Sequence, residues 1–209
     1  MTKGTFVTSM AHPKTIHDFY GFPKALFDVE YPAPGAVDLA AATINMIPGN
    51  LVKPNHDWGL DHGCWSVLLP MFPKAEIPVY QLSLDLSKPP SFHHDLGKQL
   101  KKLRNMGVLI VGSGNIVHNL GMMEWNDDAF PWAQEFDAWA KNRIEAGDDE
   151  ALVQYEKKGK IATLAVPTNE HYLPLLYTLG LKEKGEEISF FNEKTTMGSI
   201  SMRSLKIGG

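Results

Sequence analysis

Val108-Leu109-Ile110-Val111 runs straight into Gly112-Ser113-Gly114-Asn115-Ile116-Val117-His118-Asn119. Four consecutive apolar, mostly β-branched residues read as a buried strand, and the glycine-rich loop after them ends on a histidine. Upstream, residues 91–106 place Phe92, Leu96, Leu100 and Leu103 on one helical face with lysines opposite, and Gly107 supplies the stop. Residues 77–84, before that helix, read as a mostly buried strand. Strand, helix and strand in that order predict a βαβ unit with parallel strands and a right-handed crossover. The fold class expected is therefore α/β. Ligands in open sheets of this kind bind beyond the carboxyl ends of the strands, which makes residues 112–119 the first place to look for a site.

Outward from this unit the pattern stays mixed. Residues 4–10 read as a strand. Residues 12–35 form a turn-rich stretch with Pro13, Pro23, Pro32 and Pro34, and a connection that long is more often functional than a spacer. A helix is predicted over 36–47, ended by Pro48-Gly49, and a shorter one over 62–69, stopped by Pro70. Trp132, Phe136, Trp139 and Arg143 recur at helical spacing until Gly147-Asp148-Asp149 breaks the pattern. Thr168 can cap a helix reaching Leu179, with Gly180 as terminator. Residues 188–191 and 199–207 look like a strand pair. The expectation is one domain over residues 1–209, with a central, mostly parallel or mixed sheet flanked by helices.

Composition removes several function classes. Of 209 residues, 44% are hydrophobic and 21% charged, an ordinary globular balance rather than a disordered one. A net charge of -4, without a Lys/Arg stripe, argues against nucleic acid as a partner. The longest apolar runs are too short to cross a bilayer, so no membrane partner is expected. Cys64 stands alone, so no internal disulfide can form, and with no apolar signal segment after Lys3 a cytoplasmic location is the expectation.

Eight histidines in an acidic chain with one cysteine are the chemical feature of the sequence. Imidazole is the commonest metal ligand and titrates near neutrality. His118 follows the predicted strand; a ligand role and a plain polar loop with a capping Asn119 are evenly matched. The glycines before it would let the backbone approach a ligand, but no phosphate-loop pattern completes them. His171, in Pro167-Thr168-Asn169-Glu170-His171-Tyr172, falls at a predicted helix start, where the helix dipole favours neutral, metal-competent imidazole. A merely structural role is slightly favoured there. His62 lies in Gly59-Leu60-Asp61-His62-Gly63, between loop and helix, where it could serve as acid/base; Asp61 reads as an N-cap rather than an orienting partner. His17 sits among aromatics in the long loop, as a pocket wall or as loop packing. His93-His94 read as a solvated helix end. Cys64 has no identifiable base, and Asp127-Asp128 and Asp148-Asp149-Glu150 read as solvated charge runs. No Gly-x-Ser-x-Gly elbow supports a serine hydrolase.

Several longer motifs, in order, carry a resemblance. Ile16-His17-Asp18-Phe19 with Gly21-Phe22-Pro23, Tyr31-Pro32-Ala33-Pro34-Gly35, and Gly59-Leu60-Asp61-His62-Gly63 with Trp65 come first. Pro78-Val79-Tyr80-Gln81-Leu82-Ser83-Leu84, the 112–120 segment, Glu170-His171-Tyr172-Leu173-Pro174-Leu175 and Met197-Gly198-Ser199-Ile200-Ser201-Met202 follow. Together they resemble the class III extradiol ring-cleavage dioxygenases (LigB-like), in their 4,5-DOPA dioxygenase group.

The resemblance implies a non-haem metal, Fe(II) or, in isolated protein, Zn(II), which binds a small aromatic diol of the catechol or DOPA type and O2. It implies metal ligation by His118 and His171, with His118 alternatively an acid/base. His62 would be catalytic and touch substrate, and His17 would be substrate-binding. It leaves room for a homo-oligomer.

The family also carries two earlier metal histidines, in a His-Gly-Ser-Pro loop and a Ser-Ala-His-Trp segment, and neither motif occurs here. The chain is accordingly expected to begin inside the domain, without the family's opening strand or strands, and to be impaired in activity. The alternative reading is a catalytically impaired catechol-binding protein that keeps the aromatic pocket. Zinc-dependent hydrolysis lacks a His-Glu-x-x-His motif.

Overall fold

The computed structural model describes residues 2–208, so the two ends of the expected 1–209 domain, Met1 and Gly209, lie outside the described residues. The chain divides into two compact units, Met1–Ser87 and Lys88–Gly209. Helices and short parallel and antiparallel sheets make the fold α/β.

In the first unit β1 (Thr5–Thr8) pairs in parallel with β2 (Val52–Asn55), Thr5 opposite Val52 and Thr8 opposite Asn55. Between them come α1 (Lys24–Phe27) and α2 (Val37–Met46), and α2 packs on both strands. The βαβ unit is thus β1–α2–β2. Val7, Ala40, Thr43 and Val52 are buried between its layers. Pro54 has no N–H to give, which suits the open side of β2.

Among the described residues, 77–84 form no ladder. They run beside β1 through the Val7–Leu82 bridge, with the Thr8 N–H on the Gln81 carbonyl (3.0 Å), the Ser83 N–H on the Phe6 carbonyl (2.8 Å) and the Phe6 N–H on the Ser83 hydroxyl (2.9 Å). α3 (His62–Met71) continues past the expected stop, because Pro70 is accommodated inside its last turn.

The second unit is mainly helical: α4 (Pro90–Gln99), α5 (Lys101–Asn105), α6 (Pro131–Ala146), α7 (Asp149–Val153), α8 (Lys160–Ala165) and α9 (Leu173–Gly180). β3 (Ile188–Phe191) pairs antiparallel with β6 (Ser204–Ile207), and β4 (Thr195–Thr196) with β5 (Ile200–Ser201), so the expected C-terminal strand pair is resolved into two. α4 and α9 cross at close range. A Cβ on Gly97 would meet the Tyr177 carbonyl oxygen at 2.3 Å, and one on Gly180 the His94 carbonyl oxygen at 2.3 Å.

That crossing overturns one expectation. His93 and His94 are buried, not a solvated helix end; His94 Nε2 lies 3.0 Å from Asp149 Oδ2, and His93 Nδ1 lies 3.3 Å from the Tyr177 hydroxyl. Residues 108–111 also differ. Among the described residues they join no ladder, and Leu109 and Val111 are exposed.

Candidate functional site

The second unit brings His118 and His171 together. Their ring centroids are 3.5 Å apart and the planes only 10° from parallel. His118 is fixed by its backbone: its N–H donates to the Ala165 carbonyl at the end of α8 (2.9 Å), and it bridges antiparallel to Ile200 of β5. Asn119 precedes the 3-10 turn Leu120–Met122 and caps it through its carbonyl (3.1 Å from the Met122 N–H), while its Nδ2 donates to the Leu164 carbonyl (2.8 Å).

His171 lies two residues before α9, whose start at Leu173 is later than the predicted Thr168 cap; the Asn169 carbonyl takes the Tyr172 and Leu173 N–H groups (3.0 and 2.9 Å). The Asn115 N–H in turn donates to the His171 carbonyl (2.9 Å). A Cβ on Gly114 would meet that same oxygen at 2.2 Å. The glycines of the 112–115 loop therefore let the backbone approach the 171–174 segment, which is how the two rings come into register.

Burial lowers the pKa of His118, against a smaller upward pull from Glu170, and so favours its neutral form. Two neutral imidazoles can stack, and each can give a ring nitrogen to a metal; two imidazolium rings would repel. The ring spacing brings both imidazoles within reach of one ion, but their lone pairs lie in the ring planes, so the parallel rings must tilt before both nitrogens face it. Glu170 is engaged elsewhere, accepting from the Thr168 hydroxyl at 2.7 Å. Among the described residues no three His, Cys, Asp or Glu side chains are gathered as a metal-binding set. Once tilted, the pair would supply two donors of a set that usually needs three protein groups.

The first unit holds His17 and His62 in an aromatic cluster. His17 lies against Phe19, Phe27 and Trp65 in edge and tilted contacts, at centroid distances of 6.0, 6.3 and 5.7 Å, and its Nε2 lies 2.9 Å from the Val29 carbonyl oxygen. Phe19 presents its ring edge-on to His62 at 5.6 Å. Trp65 is anchored by an Nε1–H bond to the Ile16 carbonyl (3.0 Å), over a core of Tyr31, Ala33, Leu60 and Ala75. The 12–35 connection is thus anchored at His17, Phe19 and Tyr31, while residues 20–28 are exposed.

Asp61 is the N-cap of α3, accepting from Cys64 N–H at 3.2 Å, as its sequence position predicts. The residue that sequence reasoning missed is Asp18, whose Oδ1 sits 2.7 Å from His62 Nδ1. Nothing in the spacing of the two residues signals this contact. Burial, with a further push from Asp61, raises the Cys64 thiol to about 12, so it stays protonated and is no nucleophile near neutral pH.

The family model described as the catalytic LigB subunit of aromatic ring-opening dioxygenase matches residues 1–202. The chain belongs to the LigB family. It is 45% identical over 214 residues to a 4,5-DOPA dioxygenase extradiol of Escherichia coli (strain K12), covering 99% of this chain and 78% of that protein. A protein of the same name from Beta vulgaris is 36% identical, over 92% of this chain and 73% of its own length. A crystal structure of an uncharacterised Escherichia coli K12 protein superposes with a TM-score of 0.84 at 39% identity, over 99% of this chain and 81% of that one.

These relationships show a LigB-family extradiol dioxygenase, an oxidoreductase of a non-haem metal class, with an aromatic ring and dioxygen as the substrates membership implies. Among the described residues no helix is long and apolar enough to cross a membrane.

Proposed function

We propose that this LigB-family chain opens the ring of catechol-type, DOPA-like substrates with O2, using Fe(II), which Zn(II) can replace in isolated protein, held in part by His118 and His171. The observation that carries the reading is the 3.5 Å stack of these two imidazoles, with burial favouring the neutral form of His118. The bound metal would supply a Lewis-acidic centre for a catecholate and dioxygen.

In this reading His118 and His171 hold and orient the ion, each carried on a backbone held by hydrogen bonds. His118 is alternatively the acid/base beside it. His62 takes and returns protons on the substrate hydroxyls and contacts the ring. His17, whose Nε2 is directed to the Val29 carbonyl, offers its ring face to the substrate. The 4,5-DOPA dioxygenase name of the Escherichia coli and Beta vulgaris relatives supports the DOPA-like substrate class.

Anaerobic loading with Fe(II), followed by dioxygen and DOPA or a simple catechol, tests the proposal. A yellow ring-opened product is expected. Inertness across catechols, with Fe(II) bound, would end it. Because the described donor set supplies two nitrogens, a second reading is a catechol-binding protein that retains the aromatic pocket. Calorimetry showing catechol binding without metal and without turnover would favour that reading.

A further inference from the structure

We infer that Asp18 is a positioning residue for His62: it holds the imidazole with its proton on Nδ1 and leaves Nε2 as the open, proton-accepting nitrogen. The inference rests on the proton-transfer role proposed for His62 and names the group that makes the ring fit for it.

Asp18 Oδ1 lies 2.7 Å from His62 Nδ1 and 3.1 Å from the His62 backbone N–H, so a single oxygen takes both. Burial pushes the Asp18 carboxyl up, but the hydrogen bonds from His62 outweigh it and leave the group below its ordinary range. Near neutral pH Asp18 is therefore a carboxylate, which can only accept, and Nδ1 must be the donor. In a neutral ring Nε2 then carries a lone pair.

The neighbouring residue of the same loop, Phe19, packs its edge against the ring at 82°, so consecutive side chains fix both tautomer and orientation. Phe19 is itself braced by Phe22, Phe27 and Trp65. The His62 side chain nevertheless remains 44% exposed, leaving its far edge accessible. The competing explanation is that Asp18 merely satisfies the free N–H at the first position of α3. Asp61 already caps that helix at Cys64, and capping gives no reason for the bond to Nδ1.

The test uses the full chain labelled with 15N-histidine, at about pH 8.5, above the ordinary imidazole range. Long-range proton–nitrogen correlations distinguish the two tautomers, and His62 is assigned as the ring lost in His62→Gln. Wild-type protein is expected to show His62 protonated on Nδ1. In Asp18→Ala the ring should shift towards the Nε2–H form that free imidazole prefers in water. Asp18→Asn, whose amide oxygen can replace Oδ1, should retain the Nδ1–H form.

In the Fe(II)-loaded protein, kcat should fall about 100-fold in Asp18→Ala with KM within about threefold, and Asp18→Asn should stay within about tenfold of wild type. A wild-type ring found mainly as Nε2–H overturns the inference without any variant, and so does an unchanged tautomer in Asp18→Ala. The expected tautomers with turnover indifferent to both Asp18→Ala and His62→Ala would support the hold on the ring while removing His62 from the reaction.

Discussion

The imidazoles of His118 and His171 lie face to face, 3.5 Å between centroids and 10° from parallel, though one follows a glycine loop and the other precedes a helix. Each is positioned through its main chain, His118 through its N–H and His171 through its C=O.

If the two rings share one ion, the chain should bind one equivalent of Co(II) or Zn(II). His118→Ala and His171→Ala should each weaken binding by more than about 100-fold, since losing even an outer partner of a ligand commonly costs 10–100-fold. The double variant should be little worse than the weaker single one, because one lost ligand already dismantles the site. Cobalt absorption titrations read both numbers. Two equivalents per chain, or losses that multiply, would mean that each histidine binds alone.

Acid should find a different weak point. Arg104 of α5 donates Nη1 to Glu186 Oε2 at 2.8 Å, with Nη2 on Oε1, and this hydrogen bonding holds the Glu186 carboxyl down to about 2 from 4.5. A depressed carboxyl stabilises the fold fully above 4.5, and that contribution fades as pH falls towards 2. Glu186→Gln should cost about 1 kcal/mol at neutral pH, the upper range for a partly exposed pair. The gap to wild type should close between pH 4.5 and 2. Urea unfolding at a series of pH values checks this, and a constant gap would show that the pair is not the cause.

What the sequence makes legible is what local pattern controls. The helix predicted over 36–47 forms as Val37–Met46, and Asp61 caps α3 because an acceptor just before a helix meets its own free amides. Residues 108–111 mislead because an apolar β-branched run reports affinity for a ladder, not the presence of a partner strand. His93 and His94 mislead for a related reason. Their burial follows from how closely Gly97 and Gly180 let two distant helices approach, which no periodicity within α4 encodes. At the site, His62 is visible from its motif, whereas Asp18 reaches it only through the folding of the long loop. The resemblance names the histidines, and only the folded loop brings Asp18 to His62.

Behind His118 lies a buried ion pair that should prove costly to break. Asp137 of α6 takes Arg203 Nε (3.1 and 3.0 Å) and Nη2 (2.5 Å) and the Ser201 hydroxyl (2.6 Å), with both charged side chains under a tenth exposed. Ser201 belongs to β5, whose Ile200 bridges to His118. Asp137→Ala strands a buried guanidinium and should cost about 3–5 kcal/mol in urea unfolding. Metal affinity should fall with it, since β5 braces the histidine. A loss below about 1 kcal/mol would show that Arg203 simply turns to Glu193, its other carboxylate neighbour.

The sharpest separation of fold from site is available at Gly114. A methyl group there would sit 2.2 Å from the His171 carbonyl oxygen and 3.2 Å from Pro174 Cγ, and the first of these is backbone that cannot rotate away. The 112–115 loop and the 171–174 segment must then move apart, and with them the two rings. Gly114→Ala should cost about 1–3 kcal/mol, as overpacking does, and weaken Co(II) binding by at least about tenfold. Gly121, just beyond His118, is the control: a Cβ there meets only Asn119 Oδ1 at 3.4 Å, an ordinary contact. Gly121→Ala should stay within about 0.5 kcal/mol of wild type and bind the ion unchanged. If Gly114→Ala lost stability yet bound Co(II) as tightly as wild type, the close approach of the two segments would serve packing alone, and the stacked rings would not depend on it.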